Sequence, residues 1–410
     1  KNNELHNKPR QITIVGCGLV GSLWAYLLKK QGYEVEVFEK RSDPRLMTQQ
    51  AGRSINLVIT SRGLRALEIA GLIEKILPIT VPVYGRRIHP KMGETFFQAY
   101  GRDKSECNYS VSRWELNKAL IHECQNAGVK IHFDHEVEGL DINTKTLNFK
   151  ISNSETAHKN ISVHYDLLFA TDGSGSNIRR ALTSKYPENF KENTEWLSSG
   201  YKELFMTAPP TDSLAPFEKN SLHIWPRGTH MLMGLANLDG SFTMTLYLPH
   251  KNHQYALENL KSNDDIQKLF LNEFSSAIPF MPNYLNDYQN NPQGVLGTVK
   301  MNKWVYQDSI ALMGDAAHAI VPFFGQGMNL GFEDCTNLMG FLKTHNGDWS
   351  QTLMAYDKYQ RPNANAIADM ALENFIEMRD KVSDPQFQFR KKIEAVIEKE
   401  FPNFLRWQIF

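Results

Sequence analysis

Gln11-Ile12-Thr13-Ile14-Val15-Gly16-Cys17-Gly18-Leu19-Val20-Gly21 decides how the rest of this chain is read. Gln11–Val15 is a short apolar run of strand length. The glycines follow at once, and Ser22–Gln31 continues with apolar residues at helical spacing until Gly32 closes it. Glu34–Phe38 is a second apolar run, with Glu39 at its end. A strand, a Gly-x-Gly-x-x-Gly turn, a helix and a second strand ending in an acid make a βαβ dinucleotide-binding unit. The glycines allow a tight turn, close approach of backbone to a pyrophosphate, and close packing of helix on strand. An acid at Glu39 can accept ribose hydroxyls and disfavours a 2′-phosphate. The tightly held nucleotide is therefore expected to be FAD or NAD rather than NADP.

Two more strand-to-glycine junctions follow. Asp166–Thr171 is apolar and runs into Asp172-Gly173-Ser174-Gly175-Ser176-Asn177-Ile178-Arg179. Ser309–Met313 is apolar and runs into Gly314-Asp315-Ala316-Ala317-His318-Ala319-Ile320-Val321-Pro322-Phe323-Phe324-Gly325-Gln326-Gly327-Met328-Asn329, after which Leu330–Leu342 has helical spacing. A Gly-rich turn feeding a helix N-terminus holds anionic or electron-rich groups against backbone N–H groups. Asp315 stands where a carboxylate can accept ribityl or ribose hydroxyls. Taken alone, an Asp-Gly turn is common and carries no such meaning.

Composition narrows the class. The chain has 410 residues, enough for one large or two ordinary domains. Lys plus Arg and Asp plus Glu are both 45, so no global charge favours nucleic acid or an anionic membrane. Cys17, Cys107, Cys124 and Cys335 form no Cys-x-x-Cys pair and complete no zinc pattern with histidines, so free thiols are expected and no metal. Lys1–Arg10 is polar and basic, without the apolar core of a signal peptide. No apolar run reaches the roughly 18 residues of a membrane span.

Between the junctions, Arg62–Ala70 reads as a helix. Arg86–His89 and Thr95–Tyr100 read as short strands around a Lys91–Glu94 turn. Ser110–Asn126 reads as a helix opening at Ser-Val-Ser-Arg. Lys130–Phe133, Val137–Ile142 and Thr146–Ile151 read as strands, and Lys185–Glu195 as a polar surface excursion. Ser221–Trp225, Met231–Asn237 and Phe242–Leu248 are strand-like runs separated by turns, which predicts an antiparallel sheet. Asp264–Phe274, Ser350–Asn374 and Phe387–Phe401 read as helices, the second broken or kinked at Arg361-Pro362.

The three junctions together resemble the single-component FAD-dependent aromatic hydroxylases, the para-hydroxybenzoate hydroxylase group. Finer strings resemble the kynurenine-hydroxylating branch of that family: Gly52-Arg53-Ser54-Ile55-Asn56-Leu57, Gly85-Arg86-Arg87-Ile88-His89, Tyr100-Gly101, Ser110-Val111-Ser112-Arg113, Leu222-His223-Ile224-Trp225-Pro226-Arg227, and Glu373-Asn374 with Glu377-Met378. The resemblance runs from about Gln11 to Pro402. It implies an α/β (α+β) fold: an FAD-binding Rossmann-like domain (1–180 with 295–345, the short strands around 86–100 excepted), an inserted antiparallel-sheet substrate domain (181–294) and a helical C-terminal region (346–410). It implies NADPH as co-substrate, O₂, and hydroxylation of L-kynurenine to 3-hydroxy-L-kynurenine through a flavin C4a-hydroperoxide.

By that resemblance Arg86 and Tyr100 grip the substrate carboxylate with Asn374 nearby, and Ile224, Pro322 and Phe323 wall the ring. The FAD contacts are Gly16, Gly18, Leu19, Val20, Gly21, Glu39, Lys40, Arg41, Val58, Arg113, Val137, Asp172, Asn177, Asp315, Gly327, Met328 and Asn329. No catalytic side chain is expected, because the flavin carries the chemistry; His318 is expected to be structural. The family carries a further carboxylate-binding Tyr beyond Phe401-Pro402, where this chain reads Asn403-Phe404-Leu405-Arg406-Trp407. The membrane-anchoring tail of eukaryotic relatives has no counterpart here, so a soluble cytoplasmic protein is expected. Two other readings share the motifs: a flavin hydroxylase of another aromatic ring, and a non-catalytic nucleotide-binding escort protein on the same fold.

Overall fold

Ile12–Val15 lies inside a six-stranded sheet with Val35–Phe38 on one side and Leu167–Ala170 on the other, both parallel to it. Lys130–His132 continues the parallel order beyond Val35–Phe38, and Ile310–Leu312 beyond Leu167–Ala170. Only the edge pair Val305–Tyr306 runs antiparallel. Ile12, Ile14, Leu168, Phe169, Ile310 and Leu312 are fully buried, because both faces of this sheet are covered. The Leu19–Lys30 helix packs against Arg113–Asn126 and Gln326–Thr344. This computed structural model describes residues 11–47, 55–152, 159–210, 217–322, 326–381 and 384–400. Gly52–Ser54, Phe323–Gly325 and Phe401–Trp407, named above, lie outside the described residues.

This topology brings the three junctions together. Val15, Ala170 and Leu312 end three adjacent parallel strands, so Gly16, Thr171–Gly173 and Met313–Asp315 open side by side. Ligands of open parallel sheets bind outside such carboxyl ends.

A second, seven-stranded sheet runs in the order Gln293–Met301, Glu192–Met206, Phe242–Pro249, Met231–Ala236, Ser221–Pro226, Gly85–Ile88, Phe96–Ala99. It is antiparallel except where Ser221–Pro226 meets Gly85–Ile88 in parallel. Its side chains alternate between two layers. Trp225, Leu232, Met244 and Leu246 pack on Ile266, Leu269 and Phe270 of the Asn263–Glu273 helix. Leu222, Ile224, Met233 and Tyr247 face the opposite way, toward Val58, Ala371 and Phe375. That second layer joins this sheet to the nucleotide side and to the long Trp349–Ile376 helix. Among the described residues no helix is long and apolar enough to cross a membrane.

Several elements differ from the sequence reading. Asn108–Ser112 is a strand paired with Asn56–Ile59 and Thr80–Val83, so the helix starts only at Arg113, with the Ser112 hydroxyl accepting the Glu115 N–H. Lys185–Glu195 is not all surface excursion: Glu192 begins a 15-residue strand. The third junction's helix begins at Gln326, four residues before Leu330, which places Gly327, Met328 and Asn329 in its first turn.

Of the break or kink expected at Pro362, the break does not occur: one helix runs from Trp349 to Ile376 with the proline inside it. Pro362 is exposed, while Ala364, Ile367, Ala368 and Ala371 are buried and hold the helix down. The proline removes one backbone hydrogen bond without breaking the packing. Pro362→Ala is therefore expected to raise the thermal midpoint, the gain bounded by about 3 kcal/mol. A midpoint at or below the wild-type value in a melting scan would refute this account of the helix.

Candidate active site

The first turn is built on close contacts that only glycine permits. Gly16 has φ +96°, and a Cβ there would stand 2.3 Å from the Thr171 carbonyl oxygen. A Cβ on Gly21 would stand 2.1 Å from the Gly16 carbonyl oxygen. The Thr171 hydroxyl donates to the carbonyls of Val15 and Gly16 at 2.9 and 2.8 Å, so the first and middle junctions interlock. Gly18 caps the Leu19–Lys30 helix with no side-chain cap, and a Cβ on it would meet nothing within 4 Å among the described residues. An open helix N-terminus with clear space in front of it fits a pyrophosphate. Leu19 is buried beneath, and Val20 packs against Gly314 and Gly331 of the third junction.

Glu39 is 4% exposed and accepts N–H groups from Cys17 at 2.7 Å and Arg41 at 2.9 Å, with the Arg41 guanidinium at 2.8 Å. Burial works against the carboxylate, but Arg41 outweighs it and holds Glu39 below the usual carboxylate range. Lys40 and the Arg41 side chain are exposed beside it.

At the middle turn Asp172 accepts the Asn177 N–H at 2.9 Å through Oδ2. Its Oδ1 is buried and has no partner among the described residues. Burial pushes this carboxyl above its ordinary value. An orphaned buried oxygen at the rim of the nucleotide groove fits a ligand hydroxyl. Asn177 reaches across to the Val137 carbonyl at 2.9 Å. Arg179 is 4% exposed and donates to the Ala316 carbonyl at 3.0 Å, to the Ser174 carbonyl and to Glu192 at 2.9 Å. It rivets the middle turn to the third, a link that no local pattern announces.

At the third turn Asp315 opens a single helical turn, Asp315–His318. A Cβ on Gly327 would lie 3.5 Å from Asp315 Oδ1, so the carboxylate stands over the N-terminus of the Gln326–Thr344 helix. Met328 is buried. Asn329 is fully buried, and its side chain accepts the Thr60 N–H at 2.9 Å and donates to the Val58 carbonyl at 2.8 Å. Its backbone and that of Val58 are thereby held at a set spacing. Arg113 is exposed at the start of its helix and is the charge that opposes the burial of Glu203, whose carboxyl burial pushes up to about 7.

A cavity of about 920 Å³ adjoins this turn, between the Phe96–Ala99 strand, the Trp349–Ile376 helix and the Pro385–Glu400 helix. Arg86, Tyr100 and Asn374, predicted as one group, line it together. Arg86 is 8% exposed, donates to Asn374 Oδ1 at 3.4 Å and has its guanidinium carbon 5.9 Å from the Tyr100 ring centre. Burial pushes the Tyr100 hydroxyl up, with Arg86 acting against it. Glu377, to which the sequence reading gave no role, stands 3.7 Å from Arg86. It begins a π-helical turn, Glu377–Lys381, a distortion frequent at functional sites. Gln326 also lines the cavity, so the third turn opens onto it; its buried Oε1 has no partner among the described residues. Ile224 is fully buried in the apolar layer with Ala371 and Phe375, and Pro322 is exposed. Among the described residues no cluster of His, Cys, Asp or Glu could hold a metal.

Comparisons with known proteins bear on the family and the fold. A family model described as "FAD binding domain" matches residues 10–371. The kynurenine 3-monooxygenase of Stenotrophomonas maltophilia (strain K279a) is 38% identical over 393 residues, covering 96% of this chain and 85% of that protein. The kynurenine 3-monooxygenase of Xanthomonas oryzae pv. oryzae (strain MAFF 311018) is 39% identical over 394 residues, with the same coverage of 96% and 85%. Among solved structures, the tetrameric form of 2-methyl-3-hydroxypyridine-5-carboxylic acid oxygenase superposes with TM-score 0.73 at 19% identity, covering 92% of this chain and 95% of that one. P. aeruginosa PqsL in complex with 2-aminobenzoylacetate superposes with TM-score 0.71 at 17% identity, covering 90% and 96%. At such identities the two structures speak for the fold alone.

Proposed function

Because this chain belongs to the kynurenine 3-monooxygenase family of FAD-dependent aromatic hydroxylases, we propose that it hydroxylates L-kynurenine to 3-hydroxy-L-kynurenine, consuming NADPH and O₂. The observation that supports this substrate most is the convergence of Arg86, Tyr100 and Asn374 on one wall of a cavity whose other wall starts at Gln326 of the third turn. The chemistry that bound FAD would supply is uptake of hydride from NADPH and transfer of one oxygen atom of O₂ to the ring, the other leaving as water.

The chain's own residues bind and orient. Gly16–Gly21 and the open helix end at Gly18 receive the pyrophosphate, and Glu39 lies on the ribose side. Asp172 Oδ1 and Asp315 accept hydroxyls along the ribityl side. The backbone of Val58 and of Met328–Asn329 borders the flavin ring. Arg86 takes the substrate carboxylate with a planar fork of donors, which a Lys could not imitate. Tyr100 and Asn374 add directional bonds. The apolar layer of Ile224, Met233 and Phe375 packs with Ala371, which lines the cavity, and so backs its wall with apolar side chains. The aniline nitrogen already makes its ortho carbon electron-rich, so no side-chain base is assigned.

The test is chromatography of the products formed by purified protein with FAD, NADPH, O₂ and L-kynurenine. 3-Hydroxykynurenine is expected, with faster NADPH oxidation than with phenols or benzoates. Flavin retained but no hydroxykynurenine formed would move the assignment to another aromatic substrate. Protein that takes up no FAD would favour the escort reading.

A further inference from the structure

Asp334 and His318 lie beneath the third turn and play no part in the scheme above. Asp334 is fully buried on the Gln326–Thr344 helix. Its Oδ2 accepts the Gly314 N–H at 2.9 Å and meets His318 Nε2 at 2.5 Å. Its Oδ1 accepts from the Gln360 amide at 3.0 Å, and Gln360 in turn accepts from Asn337. His318 is 2% exposed and closes the Asp315–His318 turn. Gly314, at φ +57°, aims its N–H at Asp334 from the other end of that turn. One carboxylate therefore grips the turn at Gly314 and at His318, with Asp315 held between them.

We propose that the buried Asp334–His318 pair is a clamp that fixes the Asp315 turn in the orientation FAD requires, making Asp334 and His318 positioning residues for the cofactor. The inference rests on the FAD reading above. Both Asp334 oxygens have fixed donors, so the carboxylate has nowhere to relax. Removing either partner leaves a buried charge uncompensated, which is far costlier than losing a surface pair. The single-turn helix has too few backbone hydrogen bonds of its own to hold its shape, so the clamp sets it.

Of the surrounding charges, Asp315 acts on His318 in the same direction as Asp334 and after it. Asp315 is on its own turn, and Cys335 adjoins Asp334. Tyr356 donates to the Leu312 carbonyl, Arg179 donates to the Ala316 carbonyl, and Lys300 is paired with Asp369. The Trp304 ring lies 5.0 Å from the imidazole. Burial acts against the charged imidazole, but Asp334, with Asp315 behind it, outweighs it, and His318 stands above its ordinary value of 6.5. A raised folded value means that this stabilisation is fully present below 6.5 and is lost as pH rises through the raised value.

Wild type, Asp334→Asn, His318→Gln and Tyr356→Phe, prepared as apoproteins, are titrated with FAD by flavin fluorescence. Asp334→Asn and His318→Gln are expected to raise the FAD dissociation constant by roughly tenfold or more, with the KM for kynurenine unchanged at saturating FAD. Tyr356→Phe deletes an equally buried hydrogen bond beside the clamp without touching the turn, and wild-type FAD affinity is expected. The wild-type apoprotein's melting temperature should fall as pH rises above 6.5, and His318→Gln should flatten that fall. If Tyr356→Phe weakens FAD as much as Asp334→Asn, the pair is ordinary core and the clamp is overturned. Wild-type FAD affinity in His318→Gln also overturns it; that variant keeps a neutral donor and guards against a misfolded Asp334→Asn. Wild type that binds no FAD is a different result: it refutes the function reading, and the clamp with it.

Discussion

Replacing Arg86 with alanine is expected to raise the KM for kynurenine by roughly ten- to a hundredfold while the FAD content stays at the wild-type level. A hydrogen bond to a charged group is worth about 1.5–3 kcal/mol, which corresponds to that range. Arg86 is 8% exposed, so a carboxylate beside it meets little screening water. Its hydrogen bond to Asn374 is long, at 3.4 Å, its ion pair with Glu377 stands at 3.7 Å, and a planar guanidinium suits a substrate carboxylate in exchange for such contacts. The alanine variant also strips Glu377 of its counter-charge, and Glu377 then faces the incoming carboxylate as a like charge. Both effects fall on substrate binding, and neither reaches the strand ends that hold FAD. Arg86→Lys restores the charge but not the planar fork, so an intermediate KM is expected. Steady-state kinetics with flavin absorbance on the same samples decides it. An unchanged KM, or a variant that loses its flavin together with its substrate, would remove Arg86 from the carboxylate site.

Much of this site was legible because its turns carry their chemistry locally. Gly16, Gly18 and Gly21 advertise a close approach of backbone to backbone, and the contacts at Gly16 and Gly21 are of that kind. The strands Ser221–Pro226, Met231–Ala236 and Phe242–Pro249 announced themselves because each is apolar and bounded by turn residues. What stayed hidden is what only tertiary structure creates. The Glu192–Met206 strand opens with exposed residues, Glu192, Asn193 and Glu195, that are strand only because Gln293–Met301 pairs with them. Ser110 and Ser112 looked like a helix start because Ser112 is one; what precedes it is strand because two other strands flank it. Arg179 reads as a helix-start arginine, yet its bond to Ala316 spans a sequence separation of 137. At Pro362 the helix continues where a break was one of two expected outcomes, since the rule against proline inside helices weighs one lost bond and not the buried face that outweighs it. The candidate site is thus a set of locally readable turns assembled by contacts with no local signature.

Gly21→Ala should be severely damaging on the nucleotide side, and comparison with Gly18→Ala shows why. Both glycines belong to one motif, but their surroundings differ. The added methyl at Gly21 would lie 2.1 Å from the Gly16 carbonyl oxygen and 2.5 Å from the Thr171 hydroxyl. That oxygen is backbone and already accepts the Thr171 hydroxyl at 2.8 Å, so it cannot swing aside. The Leu19–Lys30 helix must therefore move away from its strand, and its buried face, with Leu23, Trp24 and Leu27, moves with it. Overpacking of a well-filled core costs about 1–3 kcal/mol, and rigid neighbours put this site at the upper end. At Gly18 the same methyl meets nothing within 4 Å among the described residues, and the residue's φ of −75° suits any amino acid. Among the described residues nothing stands in its way, so a bound ligand is what it would meet. Gly18→Ala is therefore expected to melt like wild type as an apoprotein yet bind FAD more weakly. Gly21→Ala is expected to melt several degrees lower as an apoprotein and to be purified without flavin. Thermal melts of the two apoproteins with parallel FAD titrations separate these outcomes. Normal FAD binding by Gly21→Ala would mean that the helix is free to shift, and that the close packing of helix on strand is not what shapes the pyrophosphate site.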